Sequence, residues 1–272
     1  EFYVAKFLTL NTHSWLGEDP KWALETLGKQ ILKADYDVIA LQEINQRIDS
    51  AKVLNTPYTL KNQHQLHEDN YALKLVEYLK EHGLTYHFTW AYSHIGYDEY
   101  HEGVALLSKQ PFSSEKSVLT SAVDDEYNYH TRRALIAKTT VAGKELCVVS
   151  GHFSWWKSDF KSEWQRLEQA LADEQAPLII MGDFNNPENT LGHDLVLASP
   201  LGLKDSHLAA KKVTGGPTIL QDIDGWENND KALRIDFIFV SQQLEVKESH
   251  VLFDGKKSPL ISDHFGVECV IE

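Results

Sequence analysis

The feature that most restricts what this chain can fold into is a series of short apolar runs that each stop abruptly in polar residues. Leu178, Ile179, Ile180 and Met181 follow Pro177 and end at Gly182, Asp183, Phe184 and Asn185. A run this short, bounded by proline and glycine, suits a strand covered on both faces, and α/β folds place ligand sites beyond the carboxyl ends of such strands. One such ending carries little weight, because Asp and Asn are ordinary turn formers. Recurrence carries more. Residues 3–10 end at Asn11, Thr12 and His13, residues 37–41 at Gln42, Glu43 and Asn45, and residues 145–150 at His152. The run 235–240 begins beside Asp236, and Ser262, Asp263 and His264 immediately precede the run 265–271.

Between these runs lie amphipathic stripes. Leu24, Leu27, Ile31 and Ala34 recur at helical spacing, as do Ala72, Leu75, Val76 and Leu79, and Phe160, Trp164, Leu167 and Leu171. Strand, helix, strand over residues 3–41 is a crossover unit. The alternating run 135–141 turns at Ala142 and Gly143 into 145–150, which reads as a hairpin. Residues 86–92 and 103–108 read as strands separated by a polar segment containing His94, Tyr97, Asp98 and His101. Long polar loops are expected over 47–69 and 124–131, and the Gly-, Pro- and Asn-rich segment 186–230 is expected to hold one short helix near Leu195. With no repeat, low-complexity stretch or Pro/Ser-rich linker, residues 1–272 are expected to form one domain.

Charge narrows the partners. Forty acidic against 26 basic residues give a formal charge of −14, a field that repels polyanions, and no Lys/Arg run of the kind that tracks a nucleic-acid backbone is present. Nucleic acid is therefore not expected as a partner, nor is a membrane, since no stretch of about 18 apolar residues exists. Cys147 and Cys269 each lie inside an apolar run and read as small buried hydrophobes rather than a disulfide framework. The chain begins at Glu1, so the absence of a leader says little about processing.

Asn11, Glu43, His152, Asp183, Asn185, Asp236, Asp263 and His264 all stand at or beside run ends, where they can converge on one rim of a sheet sandwich. Any one of them alone is more commonly a cap, turn or surface residue. Together they suit phosphate-ester hydrolysis. Glu43 with Asn11 and Asp263 offers hard oxygen ligands for Mg²⁺, which keeps waters for a substrate phosphate. His264 beside Asp236 would be held in one tautomer, Asp183 would orient or deprotonate a water, and Asn185 and His152 would donate to phosphoryl oxygens. Paired-cysteine and His-Glu-x-x-His signatures of zinc are missing. Arg132 and Arg133 suit either a phosphate clamp or, preferably, a surface ion pair with Asp124 and Asp125.

Leu41-Gln42-Glu43, Gly182-Asp183-Phe184-Asn185, Arg234-Ile235-Asp236 and Ser262-Asp263-His264, with Asn11 ahead and His152 between, resemble the endonuclease/exonuclease/phosphatase superfamily in order and spacing. The resemblance implies an α/β fold (α+β), a four-layer sandwich of two mixed β-sheets flanked by helices. It implies Glu43 as principal Mg²⁺ ligand, with Mn²⁺ as an alternative ion, aided through Asn11, with Asp263 on the metal side. It further implies His264 paired with Asp236, Asp183 positioning the water, and Asn185 and His152 on the phosphoryl oxygens. Residues 9–15, 93–98, 102–108, 152–156 and 224–227 are similar to the maltose 6'-phosphate phosphatases within that superfamily. A cytoplasmic enzyme releasing phosphate from a phosphorylated disaccharide is the implied activity. His94, Tyr97 and Asp98 would then bond hydroxyls, Trp155 and Trp156 would stack on sugar faces, and Arg132 is retained as a substrate contact.

Two other readings share these residues. A phosphodiesterase of the same fold, sphingomyelinase-like or a DNA nuclease, would need an exposed apolar hairpin or a basic surface, and neither is evident. A catalytically silent sugar-phosphate binding protein would have lost a catalytic position, and Glu43, Asp183, Asn185, Asp236 and His264 are all present.

Overall fold

The computed structural model describes residues 4–55 and 64–272. In chain order its strands and helices are β1 (Ala5–Asn11), α1 (Pro20–Ala34), β2 (Val38–Arg47), α2 (Tyr71–Glu81), β3 (His87–Gly96), β4 (Tyr100–Ser108), β5 (Phe112–Leu119), β6 (Arg133–Val141), β7 (Lys144–His152), α3 (Phe160–Leu171), β8 (Leu178–Asp183), α4 (Leu191–Leu197), β9 (Leu203–Asp205), α5 (Ser206–Ala209), β10 (Lys212–Thr214), β11 (Asp236–Ser241), β12 (Val246–Leu252) and β13 (Gly266–Ile271). They form a seven-stranded sheet ordered β10-β12-β13-β1-β2-β4-β3 and a six-stranded sheet ordered β5-β6-β7-β8-β11-β9.

Period-two alternation along the strands makes the layers. Phe7, Val38 and Ala40 point between the sheets to meet Val148, Ile179, Met181 and Ile238. Their neighbours Leu8, Ile39 and Leu41 face outward onto α1 and α2, and Leu178, Ile180 and Phe239 face outward onto α3. The result is the four-layer sandwich with mixed sheets. β1 and β2 run parallel across α1, and β7 and β8 run parallel across α3, so both crossovers leave strand ends on the same rim. Asp19 caps α1 through the Trp22 amide ahead of Pro20, and Asn70 caps α2 through the Ala72 and Leu73 amides. The two cysteines are free, and they lie in different apolar cores.

The structure revises three expectations. β2 does not stop at Leu41 but continues to Arg47 through a bulge between Leu41 and Ile44. The polar segment 93–101 is not a loop between strands: most of it is the paired ends of β3 and β4. β5 was invisible to an apolar-run reading because it is an edge strand, mostly exposed, and needs no apolar face. The part of the expected 47–69 loop at 56–63 lies outside the described residues.

Candidate active site

The rim where β1, β2, β7 and β8 end opens into a cavity of about 780 Å³ whose lining includes Glu43, His152, Asp183, Asn185 and His264. Glu43 reaches it because the β2 bulge puts this residue in the left-handed region, at φ 51. That reverses the alternation that would otherwise bury the carboxylate in a packed layer. Gly182 lets β7 and β8 close tightly, since a Cβ there would sit 1.9 Å from the Gly151 carbonyl oxygen.

Asn11 ties the two sheets together. Its Nδ2 donates to Glu43 Oε2 from one sheet and to Asp183 Oδ2, 3.0 Å away, from the other. Asp183 is the hub of the floor. Its Oδ1 accepts from the Asn185 amide at 3.0 Å, and its Oδ2 lies 3.4 Å from His152 Nε2 and 3.5 Å from His264 Nε2. The opposite nitrogen of His264, Nδ1, lies 2.9 Å from Asp236 Oδ2. The His264 ring is thus held between two carboxylates and is 2% exposed.

Electrostatics follow from this packing. Burial works against charge on His264, but Asp236 and then Asp183 outweigh it and hold the imidazole well above its ordinary value, so it is a cation near neutral pH. Burial pushes Asp236 up to about 6, with the charge of His264 opposing the rise and that of Asp183 adding to it. For Asp183, burial is outweighed by the charge of His264 and the hydrogen bond from His152, and the carboxylate stays well below its usual range. Glu43 is likewise lowered to about 2, burial being outweighed by His13 and the charges of His152 and His264.

His13 is a member that sequence reasoning did not select as a site residue. It stands at φ 54 just past β1, with Nδ1 3.4 Å from Glu43 and 3.7 Å from Asp263. Burial disfavours its charge, yet the hydrogen bond to Glu43 and the charge of Asp263 prevail and push it up to about 9. The signal in the sequence was its place beside Asn11. Asp263 is raised by burial and by the negative charge of Glu43. A buried carboxylate raised by the negative charge of a second one is what a dication relieves, and the donors are hard oxygens, so these residues fit Mg²⁺. One ligand atom each from Glu43, Asp183 and His264 also lie within 4.8 Å of one another. Asp183 therefore stands beside Glu43 together with Asn11, which bonds both.

The outer cavity is lined by His94, Tyr97, Arg132, Trp155, Asp224 and Trp226, among others. Trp226 Nε1 donates to Asn185 Oδ1 at 2.9 Å, which links the rim to the floor, and Asn185 Nδ2 donates to the Phe153 carbonyl at 2.8 Å. Tyr97 donates its hydroxyl to Asp224 across the mouth. Gly225 is obligatory: at φ +88, a Cβ would meet the Trp155 ring at 2.8 Å. His94 is buried between the Thr131 carbonyl, 2.9 Å from Nδ1, and Glu102, 3.1 Å from Nε2. The two arginines separate. Arg133 forms the expected ion pair with Asp124 at 2.8 Å, whereas Arg132 is buried, 5.9 Å over the Trp155 ring, with Nε lacking a hydrogen-bond partner. Two predicted substrate contacts are not among the lining residues. Asp98 is exposed in the β3–β4 turn, and Trp156 packs toward Phe160 with 38% of its surface exposed.

Two sheets delivering carboxylates, amides and a carboxylate-held histidine to one rim define a metal-dependent phosphoric ester hydrolase. The chain belongs to the Endonuclease/Exonuclease/phosphatase family, whose model matches residues 14–264. Among solved structures it is similar to an endonuclease/exonuclease/phosphatase family protein from Leptotrichia buccalis C-1013-b, at 31% identity over 98% of this chain and 99% of that one, with a TM-score of 0.86. It is similar in fold to the mannosyl-6-phosphatase Bt3783 of Bacteroides thetaiotaomicron, at 18% identity over 98% and 99% of the two chains, with a TM-score of 0.71. It is also similar in fold to D. rerio TDP2 complexed with a single-strand DNA product, at 16% identity over 99% of each chain, with a TM-score of 0.67. No curated protein sequence matches the chain.

Proposed function

We propose that the chain is a Mg²⁺-dependent phosphomonoesterase acting on a sugar phosphate, with maltose 6'-phosphate as the substrate and maltose and phosphate as products. The observation that carries this reading is a cavity of about 780 Å³ with the carboxylate and histidine cluster at its floor and Trp155 and Trp226 at its rim. Its size lies within the roughly 300–1,000 Å³ of small-molecule pockets. The formal charge of −14 disfavours long polyanions. The mannosyl-6-phosphatase of similar fold shows that the architecture accommodates a phosphorylated sugar in another protein.

Mg²⁺, held by Glu43 with Asn11 and Asp263 on the same side, would neutralise phosphoryl charge and stabilise the leaving sugar oxygen. The chain's own residues do the remainder. Asp183, kept ionised, is too weak a base to gain much from proton affinity, so its work is to orient the attacking water and receive its proton as the bond to phosphorus forms. The bond from phosphorus to the sugar oxygen breaks in line; that oxygen takes a proton from solvent to leave as the sugar hydroxyl, and Asp183 returns its proton to solvent. His264, held charged by Asp236, donates from Nε2 to a phosphoryl oxygen, joined by His152 and by the second hydrogen of Asn185 Nδ2. Trp155 and Trp226 present flat faces to the sugar rings, Tyr97 and Asp224 offer hydroxyl partners, His94 acts through the Glu102 it holds, and Arg132 lies at the outer wall.

The test is phosphate release with Mg²⁺ from maltose 6'-phosphate, trehalose 6-phosphate, glucose 6-phosphate, bis-nitrophenyl phosphate, sphingomyelin and abasic duplex DNA. Selective turnover of the disaccharide phosphate is expected. Preference for a diester or for DNA would leave the floor assignment in place and overturn the substrate.

A further inference from the structure

A second cluster of metal-ligating side chains lies away from this floor, on the side of the seven-stranded sheet that carries α1 and α2. His64 and His67 come from the segment ahead of α2, and His101 from β4. One ring nitrogen from each falls within 4.8 Å of the others. His101 and Glu102 are successive residues of one strand, so they point to opposite faces of the sheet: Glu102 enters the cavity and His101 enters this cluster.

We propose that His64, His67 and His101 form a binding site for Zn²⁺. The lone-pair bookkeeping is what points to a cation. His67 Nδ1 lies 2.8 Å from the Arg47 carbonyl, which can only accept, so Nδ1 carries the proton and Nε2 carries the lone pair. His67 is 2% exposed, and that Nε2 has no hydrogen-bond partner. A ring nitrogen fixed as a donor to a backbone carbonyl, leaving the other free, is the arrangement that orients a metal-bound histidine. Ser50 Oγ, 3.0 Å from His67 Nδ1, links the ring onward to Asp69.

His101 is set in the opposite sense, with Nδ1 as the acceptor, through Gln46. Gln46 Oε1 accepts from the His67 amide at 2.8 Å and from Asn70 Nδ2 at 3.2 Å, so Nε2 is its donor end. That end donates to the Gln65 carbonyl at 2.9 Å and makes a long 3.3 Å contact with His101 Nδ1, so the lone pair there is held only loosely. The His64 ring lies over His101 at 3.8 Å between centroids.

Three imidazoles without a carboxylate in the group suit Zn²⁺ and not Mg²⁺, which demands oxygen. His64 also lines a separate cavity of about 430 Å³ whose wall includes Asp124, Asp125 and Glu126. Arg133 in the same wall pairs with Asp124, so the lining keeps a net negative charge that favours cation entry on the His64 side. The ion would tie the segment at 64–67 to β4, one residue from Glu102 of the first cavity.

The experiment is calorimetric titration of chelator-treated protein with Zn²⁺ in excess Mg²⁺, with Co²⁺ absorption as a probe of tetrahedral nitrogen coordination. The background is the Glu43→Gln variant, so that the first cavity does not compete. One Zn²⁺ equivalent is expected. His64→Ala and His67→Gln added to that background should each weaken it by more than the roughly 10- to 100-fold that loss of an outer-shell partner costs. His64 is partly exposed on a surface segment, so its variant tests the site even where His67→Gln does not fold. Absence of a Zn²⁺ equivalent in the Glu43→Gln protein, or an equivalent that survives His64→Ala unchanged, would overturn the proposal.

Discussion

At the cavity floor, Asn11, Asp183 and Asp236 sit at strand ends, and Glu43 and His264 are fixed by a bulge and by a carboxylate clamp. At the rim, Tyr97, Trp155, Asp224 and Trp226 come from turns and connecting segments, and they are held by single contacts such as Tyr97 to Asp224 and Trp226 to Asn185. The floor residues are over-determined: Asp183 alone engages Asn11, Asn185, His152 and His264. Groups that must meet a phosphoryl centre in one geometry are placed by the sandwich itself, whereas groups that meet the rest of a substrate can vary on loops without disturbing it. The division predicts that floor substitutions act on turnover and rim substitutions on selectivity.

The largest effect is expected at the floor. His264→Ala should lower kcat by roughly 10²-fold or more with little change in KM, and Glu43→Gln should raise the Mg²⁺ concentration needed for half activity. Steady-state kinetics across a Mg²⁺ series checks both, and wild-type turnover in the two variants would break the assignment. At the rim, Trp155→Ala should raise KM for maltose 6'-phosphate by about tenfold, the equivalent of about 1.4 kcal/mol of lost contact, while leaving kcat and the KM for glucose 6-phosphate in place. An equal loss on both substrates would show that the ring acts on the floor and not on the sugar.

The smallest effect concerns stability without metal. The folded pKa of His13, about 9, lies above the ordinary 6.5. Its contribution is therefore fully present below pH 6.5 and is lost as pH rises through about 9, by at most about 3 kcal/mol. Denaturant titrations in chelator across that window should show the decline, and His13→Gln should make it shallower. An unchanged slope in the variant would mean that His13 does not hold its proton against Glu43 and Asp263.

Much of the fold was legible because burial imposes periodicity. The runs at 178–181 and 37–41 announced β8 and the first part of β2, and the stripe from Phe160 to Leu171 announced α3. Where burial does not act, periodicity is silent: β5 is mostly exposed, and the ends of β3 and β4 carry polar residues because they border cavities. The same limit applies to the site. Its members at run ends were visible, but Asp98 and Trp156 looked equivalent to Tyr97 and Trp155 in sequence and differ only in which way the chain turns them.

The amino-acid sequence by itself determined most strands and helices, the first crossover and the set of polar residues at run ends, because those follow from periodicity and from where apolar runs stop, while the four layers were implied by the resemblance. Tertiary structure alone decided that Glu43 escapes its packed layer through a bulge, that His13 stands between Glu43 and Asp263, that Arg132 is buried while Arg133 pairs with Asp124, and that three histidines meet behind β4. These depend on side-chain direction and on contacts between distant segments, which no local pattern encodes.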